Sequence, residues 1–282
     1  MIEIDGKTRL LGLMGYPVEH TRSPQMHNYI SKVYNKNYAY TVLSIAPENL
    51  GDAMRGVIAL DFAGINITAP HKTEVMKYLD YIDNEAKMYG SVNTVKFKEG
   101  KSYGYNTDAD GFYLSLLNAP ELVSIIGKDL LILGAGGASK PICIKFALLG
   151  AKSITVLNRT QKKADELARY VYDICGYTIH TKREHSRYDV VINTTSAGME
   201  PNINICPLED FSFVDKNTAA VDMIYNPEET LFLKKMKQHG AYTCINGLGM
   251  LIYQGIIAYE IFTGEKLKPG IYNDIKHEVF GK

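Results

Sequence analysis

The stretch DLLILGAGGASKPICIKFALLGAKSITVLNRT, residues 129–160, restricts the fold of this chain more than any other. Asp129 leads into Leu130, Leu131, Ile132 and Leu133, an apolar run of strand length with no polar alternation, as expected for a strand buried on both faces. Gly134 ends it. The turn that follows, Gly134, Ala135, Gly136, Gly137, Ala138 and Ser139, is small enough to bend tightly and to bring backbone amides close to a pyrophosphate. The free N–H groups of the next helix would favour that anion. Pro141 suits a first helical turn, and Gly150 suits a helix end. Ser153 to Leu157 then forms a second strand, which completes a strand–helix–strand unit of the right-handed crossover type. Together these describe a dinucleotide-binding half.

A glycine turn alone is a weak signal, and here its third glycine position is occupied by Ser139. The second strand ends at Asn158 and Arg159, about 20 residues past the turn, where the ribose of the adenosine is read. A carboxylate at that place would accept hydrogen bonds from the ribose. Asn158, Arg159, Thr160 and Lys163 instead offer donors and positive charge suited to a 2′-phosphate. The expectation is therefore NADP rather than NAD. Taken singly, Arg159 and Lys163 are equally compatible with the solvated start of a helix.

Length and composition narrow the class. The 282 residues suffice for two domains with separate cores, and 46% hydrophobic with 22% charged residues is ordinary for globular chains. Lys plus Arg and Asp plus Glu both total 31, so no global field favours nucleic acid or an anionic membrane surface. Cys143, Cys175, Cys206 and Cys244 have no paired spacing, which argues against a zinc cage or a disulfide framework and for buried thiols in a reducing compartment. No metal is called for. No apolar run reaches membrane-spanning length and the start lacks a signal-type core, so the cytoplasm is the default location.

Along the chain, Arg9 to Met14 reads as a strand closed by Gly15, Tyr16 and Pro17. Ser23 and Pro24 then fit N-cap and N1 of a helix, a purely local role that would account for Ser23. The other reading has Thr21 and Ser23 aiming hydroxyls at an anionic substrate. Tyr38 to Ser44 alternates like a strand, Pro47 to Ile58 reads as a helix, and Gly64 to Thr68 as a strand carrying Asn66 and Thr68 on one face. Lys72 is placed by Ala69, Pro70 and His71 in the first turn of a helix through about Tyr81, where a cation opposes the dipole. Asn93 and Asp108 sit in turns in which Asn and Asp are common for backbone reasons alone. Further strands are expected near Tyr177 to Thr181, Val190 to Asn193, Ala219 to Met223 and Ala241 to Ile245. Helices are expected over Gly111 to Asn118, Lys162 to Ile174, Thr230 to His239 and Gly247 to Phe262, the last an apolar helix with one amide, Gln254.

The ordered set Gly15-Tyr16-Pro17, Ser23-Pro24 with His27, Asn66 to Lys72, Val92-Asn93-Thr94, Asn106-Thr107-Asp108 with Gly111, the turn at 134–139, Asn158 to Thr160, Asn193 to Gly198, Tyr225 to Pro227 and Gly247 to Gln254 resembles the shikimate dehydrogenase family, quinate/shikimate members included, over essentially the whole chain. The resemblance implies a two-domain α/β fold. A substrate-binding domain of residues 1–111 would be completed by helices within 247–282, with a Rossmann-type NADP domain at 112–246 and an active-site cleft between them. It implies reversible reduction of 3-dehydroshikimate to shikimate, a step toward chorismate and the aromatic amino acids. It assigns Lys72 and Asp108 as the catalytic pair, and Thr21 and Ser23 to the substrate carboxylate. Asn66, Thr68, Asn93, Tyr225 and Gln254 are assigned to the ring and its hydroxyls, and Met223 and Gly247 to the nicotinamide region.

Two departures from the family pattern, Thr21 for serine and Ala109 for glycine, remove no catalytic group but leave shikimate, quinate or an amino analogue open as preferred substrate. A methyltransferase could use a similar glycine turn, yet it would favour an acid where Asn158 and Arg159 stand. A non-catalytic NADP sensor would have no need of Lys72 and Asp108. The expected partner is a small molecule, with no nucleic acid or membrane, and a homodimer is left open.

Overall fold

A computed structural model describes residues 4–282, which divide into two compact units. The first is Met1–Thr107 with Ile252–Lys282, and the second is Asp108–Leu251. Against the expected limits, the first unit ends at Thr107 rather than at 111 and resumes at Ile252 rather than at 247.

The first unit holds a six-stranded sheet of β1 (Arg9–Gly15), β2 (Tyr38–Ser44), β3 (Gly64–Ile67), β4 (Tyr81–Ile82), β5 (Thr94–Lys98) and β6 (Lys101–Tyr105). The order is β2-β1-β3-β5-β6-β4. β1 runs parallel to β2 and β3, β5 is antiparallel to β3 and β6, and β4 is parallel to β6. One edge of the sheet therefore collects the carboxyl ends of β1, β3 and β6 and the amino end of β5. On one face, helix α2 (Leu50–Ala59) buries Leu50, Met54 and Val57 against Met14, Ile65, Ile67 and Val95. Apolar burial of this kind contributes about 25 cal/mol per Å² removed from water. Helix α1 (Ser23–Val33) buries Met26, His27 and Ile30. A Cβ at Gly255 would stand 2.1 Å from Met26 Cε, so the methionine of α1 packs directly over the helix that carries this glycine.

The second unit is a parallel sheet of β7 (Asp129–Leu133), β8 (Ser153–Leu157), β9 (Val190–Asn193), β10 (Ala219–Asp222) and β11 (Thr243–Ile245), in the order β11-β10-β9-β7-β8. Leu130, Leu131 and Ile132 are wholly buried, as their unbroken apolar run predicts. His180 adds a single parallel bridge to Thr155 on the outer side of β8. Counting that bridge as a vestigial strand gives the doubly wound order 3-2-1-4-5-6, whose switch point lies between the carboxyl ends of β7 and β9.

Several local expectations are corrected. Ser23 is the first residue of α1, not its cap; Arg22 holds the cap position, with no side-chain cap bond. The residues after Lys72 form a short 3₁₀ turn, Glu74–Tyr78, rather than a helix reaching Tyr81, and Tyr81–Ile82 is a strand. Val75 of that turn is buried and Met76 is half-buried against the same core, too narrow an apolar face to stabilise an α-helix there. Helix α3 (Asn84–Tyr89) is additional to the expected elements, whereas the short strands expected near Val92 to Thr94 and closing at Tyr105 pair as a tight β5–β6 hairpin, turning through Glu99 and Gly100 at positive φ. α4 (Asp108–Leu117) begins three residues ahead of the expected Gly111, which puts Asp108 in its first turn, where a carboxylate complements the dipole. The strand expected at Tyr177 to Thr181 is only the bridge at His180. Helices α5 (Ser139–Leu148), α6 (Gln161–Cys175), α7 (Leu231–Gln238) and α8 (Leu248–Thr263) lie close to their expected places, and α9 (Ile271–Phe280) falls within the 247–282 stretch expected to carry helices. Among the described residues, no helix is long and apolar enough to cross a membrane. Cys143 is buried, while the other three free cysteines are half-buried.

Candidate active site

In the second unit, the switch point is closed by one serine. Ser139, in the third glycine position, is fully buried and donates to Gly134 O at 2.9 Å, while its hydroxyl also lies 2.7 Å from Thr194 Oγ1. Gly136 N–H donates to Ser139 Oγ at 3.2 Å, and Thr194 Oγ1 donates to Leu133 O at 2.7 Å. A glycine at 139 would leave this knot unmade. Gly134 has φ +108°, and a Cβ there would meet Thr194 Oγ1 at 2.8 Å, so the position requires glycine for conformation and for space. By contrast, a Cβ on Gly136 or Gly137 would touch nothing within 4 Å. The turn is thus braced from below and open above, the shape that receives a pyrophosphate over backbone amides.

A cavity of about 740 Å³ opens from that turn, bounded on one side by Asn158 to Gln161 with Lys163, and on the other by Thr195 to Ala197 and Asn202 with Ile205 to Glu209. Its size suits a large part of a dinucleotide. Asn158 has an inward role: its Oδ1 accepts the Ala135 N–H at 3.1 Å and its Nδ2 donates to Thr160 O at 2.9 Å. The asparagine ties the end of β8 to the glycine turn, and Arg159, Thr160 and Lys163 beside it are all exposed. A carboxylate at 158 could accept from Ala135 but could not donate to Thr160. Met223 and Gly247 touch: a Cβ on Gly247 would stand 2.0 Å from Met223 O, and Gly247 N–H donates to Ile224 O at 3.0 Å. Tyr225 follows β10 in the same unit and is half-buried.

In the first unit, the sheet edge described above carries a connected set of neutral polar groups. Tyr40 Oη donates to Asn66 Oδ1 at 2.8 Å. Asn66 Nδ2 donates to Asn93 O at 3.2 Å and to Thr94 Oγ1 at 3.1 Å. Asn93 Oδ1 accepts from Thr94 Oγ1 at 2.9 Å and from Thr107 N–H at 2.9 Å, and Asn93 Nδ2 donates to Thr107 Oγ1 at 3.0 Å. Thr107 Oγ1 is also 3.0 Å from the main-chain oxygen of Gln254 on α8, to which it donates. Asn66, Asn93, Thr94 and Thr107 are all buried, so every bond left unmade here would carry a desolvation cost of about 1–3 kcal/mol. Asn66 spends both amide hydrogens inside the protein, which leaves acceptor capacity for a hydroxyl. Thr21 Oγ1 donates to Ser23 Oγ at 3.1 Å and accepts the Ser23 N–H at 3.2 Å. Since Ser23 caps nothing, helix chemistry no longer explains it. Thr68 packs against the strand end: a Cβ on Gly15 would lie 2.3 Å from Thr68 Cγ2.

Lys72 is half-buried in the loop after β3, and its main-chain oxygen accepts the Val92 N–H at 2.8 Å, which fixes its backbone beside Asn93. Asp108 belongs to the second unit, and the residue before it is the anchored Thr107.

Tyr40 was not among the expected site residues. It is 4% exposed, burial drives its phenol well above the ordinary pKa, and its ring stacks on the His27 imidazole at 4.3 Å. The signal was the alternation of Tyr38, Tyr40 and Val42, of which only Tyr40 is buried. Asp222 and Asn193, both wholly buried, were also passed over in favour of the residues beside them. Among the described residues no group of three or more His, Cys, Asp or Glu is placed to hold a metal.

Comparison with known proteins gives three family matches along the chain. They are the shikimate dehydrogenase substrate-binding domain over residues 13–95, the shikimate / quinate 5-dehydrogenase model over 118–223, and the shikimate 5′-dehydrogenase C-terminal domain over 247–268. A protein of Methanococcus aeolicus named shikimate dehydrogenase (NADP(+)) is 44% identical over 277 residues, covering 95% of this chain and 96% of its own. A crystal structure of a shikimate dehydrogenase in complex with NADP⁺ superposes with TM-score 0.89 at 39% identity, covering 96% of each chain. That of a Thermus thermophilus shikimate 5-dehydrogenase in complex with NADP(H) and shikimate gives 0.86 at 30% identity, covering 96% of this chain and 100% of that one.

Proposed function

Because this chain belongs to the shikimate dehydrogenase family, we propose that it is an NADP-dependent oxidoreductase interconverting 3-dehydroshikimate and shikimate. The observation that carries the reading is the open glycine turn of the second unit, with exposed Arg159 and Lys163 and no acid where β8 ends. That donor set fits a 2′-phosphate, and the space above Gly136 and Gly137 fits a pyrophosphate. When bound, NADP supplies the hydride exchange.

The chain's own residues do the rest. Thr21 and Ser23 present hydroxyls to the substrate carboxylate. Asn66, Thr68, Asn93, Tyr225 and Gln254 hold the ring and its hydroxyls, with the buried amides fixed in advance so that little ordering is left to binding. Lys72 gives a proton to the carbonyl oxygen as charge develops there, and in the reverse direction takes it from the hydroxyl. Asp108 orients and polarises the lysine and accepts from a neighbouring hydroxyl. Positioned proton transfer of this type contributes about 10²–10⁴-fold in rate. Met223 and Gly247 border the nicotinamide, and Gly247 keeps the Met223 backbone close by having no side chain.

The test is Lys72→Ala. Turnover should fall by at least about 100-fold while the NADPH dissociation constant, measured by direct titration, stays within about twofold, since Lys72 lies outside the unit that carries the dinucleotide pocket. Wild-type turnover in the variant would remove Lys72 from the mechanism. Asp108→Asn should likewise lower turnover; a change in melting temperature alone would make the carboxylate a helix-end residue only.

A further inference from the structure

Asp222, the last residue of β10, is 0% exposed. A fully buried carboxylate normally has a cation beside it. This one has none among its partners, which are three neutral donors. Its Oδ1 accepts from Ile224 N–H at 3.0 Å and from Asn193 Nδ2 at 3.0 Å, and its Oδ2 accepts from Thr230 Oγ1 at 2.6 Å. Burial raises its pKa above the ordinary carboxylate value, with the three donors opposing that rise. A carboxylate held this way is costly to the fold, and an apolar side chain of similar size would avoid the cost. Its retention calls for a reason other than packing.

Each partner leads to a different loop at the carboxyl end of the parallel sheet. Asn193 ends β9, and its Oδ1 also accepts from Thr195 N–H at 3.0 Å and Thr195 Oγ1 at 2.7 Å, which shapes the 195–197 wall of the dinucleotide cavity. Ile224 lies between Met223 and Tyr225, and the Met223 N–H donates to Asn193 O at 3.0 Å. Thr230 caps α7 through Leu233 N–H, and a Cβ on Gly198 would come within 3.2 Å of its own Cβ. The cap is therefore already served by Thr230 and does not need Asp222. What the carboxylate adds is a single joint among the cavity wall, the Met223–Tyr225 segment and the start of α7.

We propose that Asp222 is a positioning residue for the reaction, fixing the Met223–Tyr225 backbone against the 195–197 wall so that the cofactor-facing and substrate-facing groups of these loops keep one geometry. The inference rests on the function proposed above. Displacing a reacting group by about 1 Å can cost on the order of 100-fold in rate, whereas the pyrophosphate turn is braced by Ser139, to which Asp222 makes no bond.

The experiment uses the full chain with Asp222→Ala, Asp222→Asn and Thr230→Val, assayed with shikimate and NADP⁺ well below each melting temperature. For Asp222→Ala, kcat should fall by about 100-fold, NADP⁺ affinity by direct titration should change less than about threefold, and the primary deuterium isotope effect from substrate deuterated at the reacting carbon should rise. Asp222→Asn, which keeps an oxygen for Ile224 N–H, should recover most of kcat. Thr230→Val should show a smaller fall with the same rise in isotope effect. A variant with only a lower melting temperature, at unchanged kcat and isotope effect, would overturn the proposal. If Asp222→Ala does not fold, the kcat and isotope effect of the other two variants decide in the same way. An inactive wild type would overturn the proposed function, and this inference with it; an active wild type with unaltered variants would overturn the inference alone.

Discussion

The polar edges of the two units are built in opposite ways. In the first unit, Tyr40, Asn66, Thr94, Asn93 and Thr107 form a buried, mutually bonded lattice of neutral groups. In the second, the glycine turn faces open space, and the cations beside it are exposed. A neutral lattice selects by pairing, because a ligand lacking the matching hydroxyl leaves buried groups unsatisfied. An open turn with flanking charge selects by charge and by close backbone approach, and it tolerates change at its rim. Substitutions in the first unit should therefore damage fold and turnover together, while substitutions at the rim of the second should alter cofactor choice alone.

The largest effect expected from that contrast is at Asn93. Asn93→Ala removes the acceptor for Thr107 N–H and Thr94 Oγ1 in a site where both are buried, which should cost about 4 kcal/mol in chemical denaturation and lower turnover by more than about 100-fold. A loss below about 1 kcal/mol would mean that water substitutes for the amide and that the lattice is not closed.

Next is the pH response. Burial holds the His27 imidazole down at about 3 against an ordinary 6.5, so the folded first unit binds fewer protons than the unfolded chain between those values. Its contribution is complete above 6.5 and is lost as pH falls through that window toward the folded pKa, about 3 kcal/mol by pH ~4. Asp222 has the opposite sign. Its pKa is raised by burial, so its contribution is complete below the ordinary carboxylate pKa and is lost as pH rises through the folded value. Urea titrations at neutral and acid pH should show a shallower acid loss for His27→Gln than for wild type; parallel losses would contradict the buried neutral imidazole.

The smallest effect is at the rim. Arg159→Ala should raise the KM for NADP⁺ about 30-fold, equivalent to about 2 kcal/mol of charge-assisted bonding, while leaving kinetics with NAD⁺ within about threefold. Equal losses with both cofactors would show that Arg159 supports the cavity rather than reading a phosphate.

The same contrast governs what could be read from the sequence. The unit β7–turn–α5–β8 was legible because double-sided burial writes an unbroken apolar run and the turn writes its glycines into adjacent positions. The first unit's lattice was only half legible. Asn66 and Asn93 stood out as amides at strand ends, but Tyr40 pairs with Asn66 across 26 positions, and such a bond leaves no periodicity. Ser23 is open to two readings in the sequence, cap or ligand hydroxyl, because Ser-Pro is a common helix start; the geometry shifts the start by one residue and removes the cap. The proline-led segment at Lys72 resembles a helix in sequence, although only Val75 of the turn that follows is fully buried in the core. Asp222 was hidden inside a strand whose neighbours are apolar, where one acid reads as an exception rather than a joint.

Pairing of shikimate with NADP⁺ is tested by comparing kcat/KM for shikimate and quinate with NADP⁺ and NAD⁺ in the purified wild-type chain. The highest value should be that for shikimate with NADP⁺, with a drop when either component is exchanged. Equal values with the two cofactors would contradict the phosphate reading of Arg159 and Lys163, a preference for quinate would contradict the assigned substrate, and no turnover in any of the four would contradict the enzyme itself.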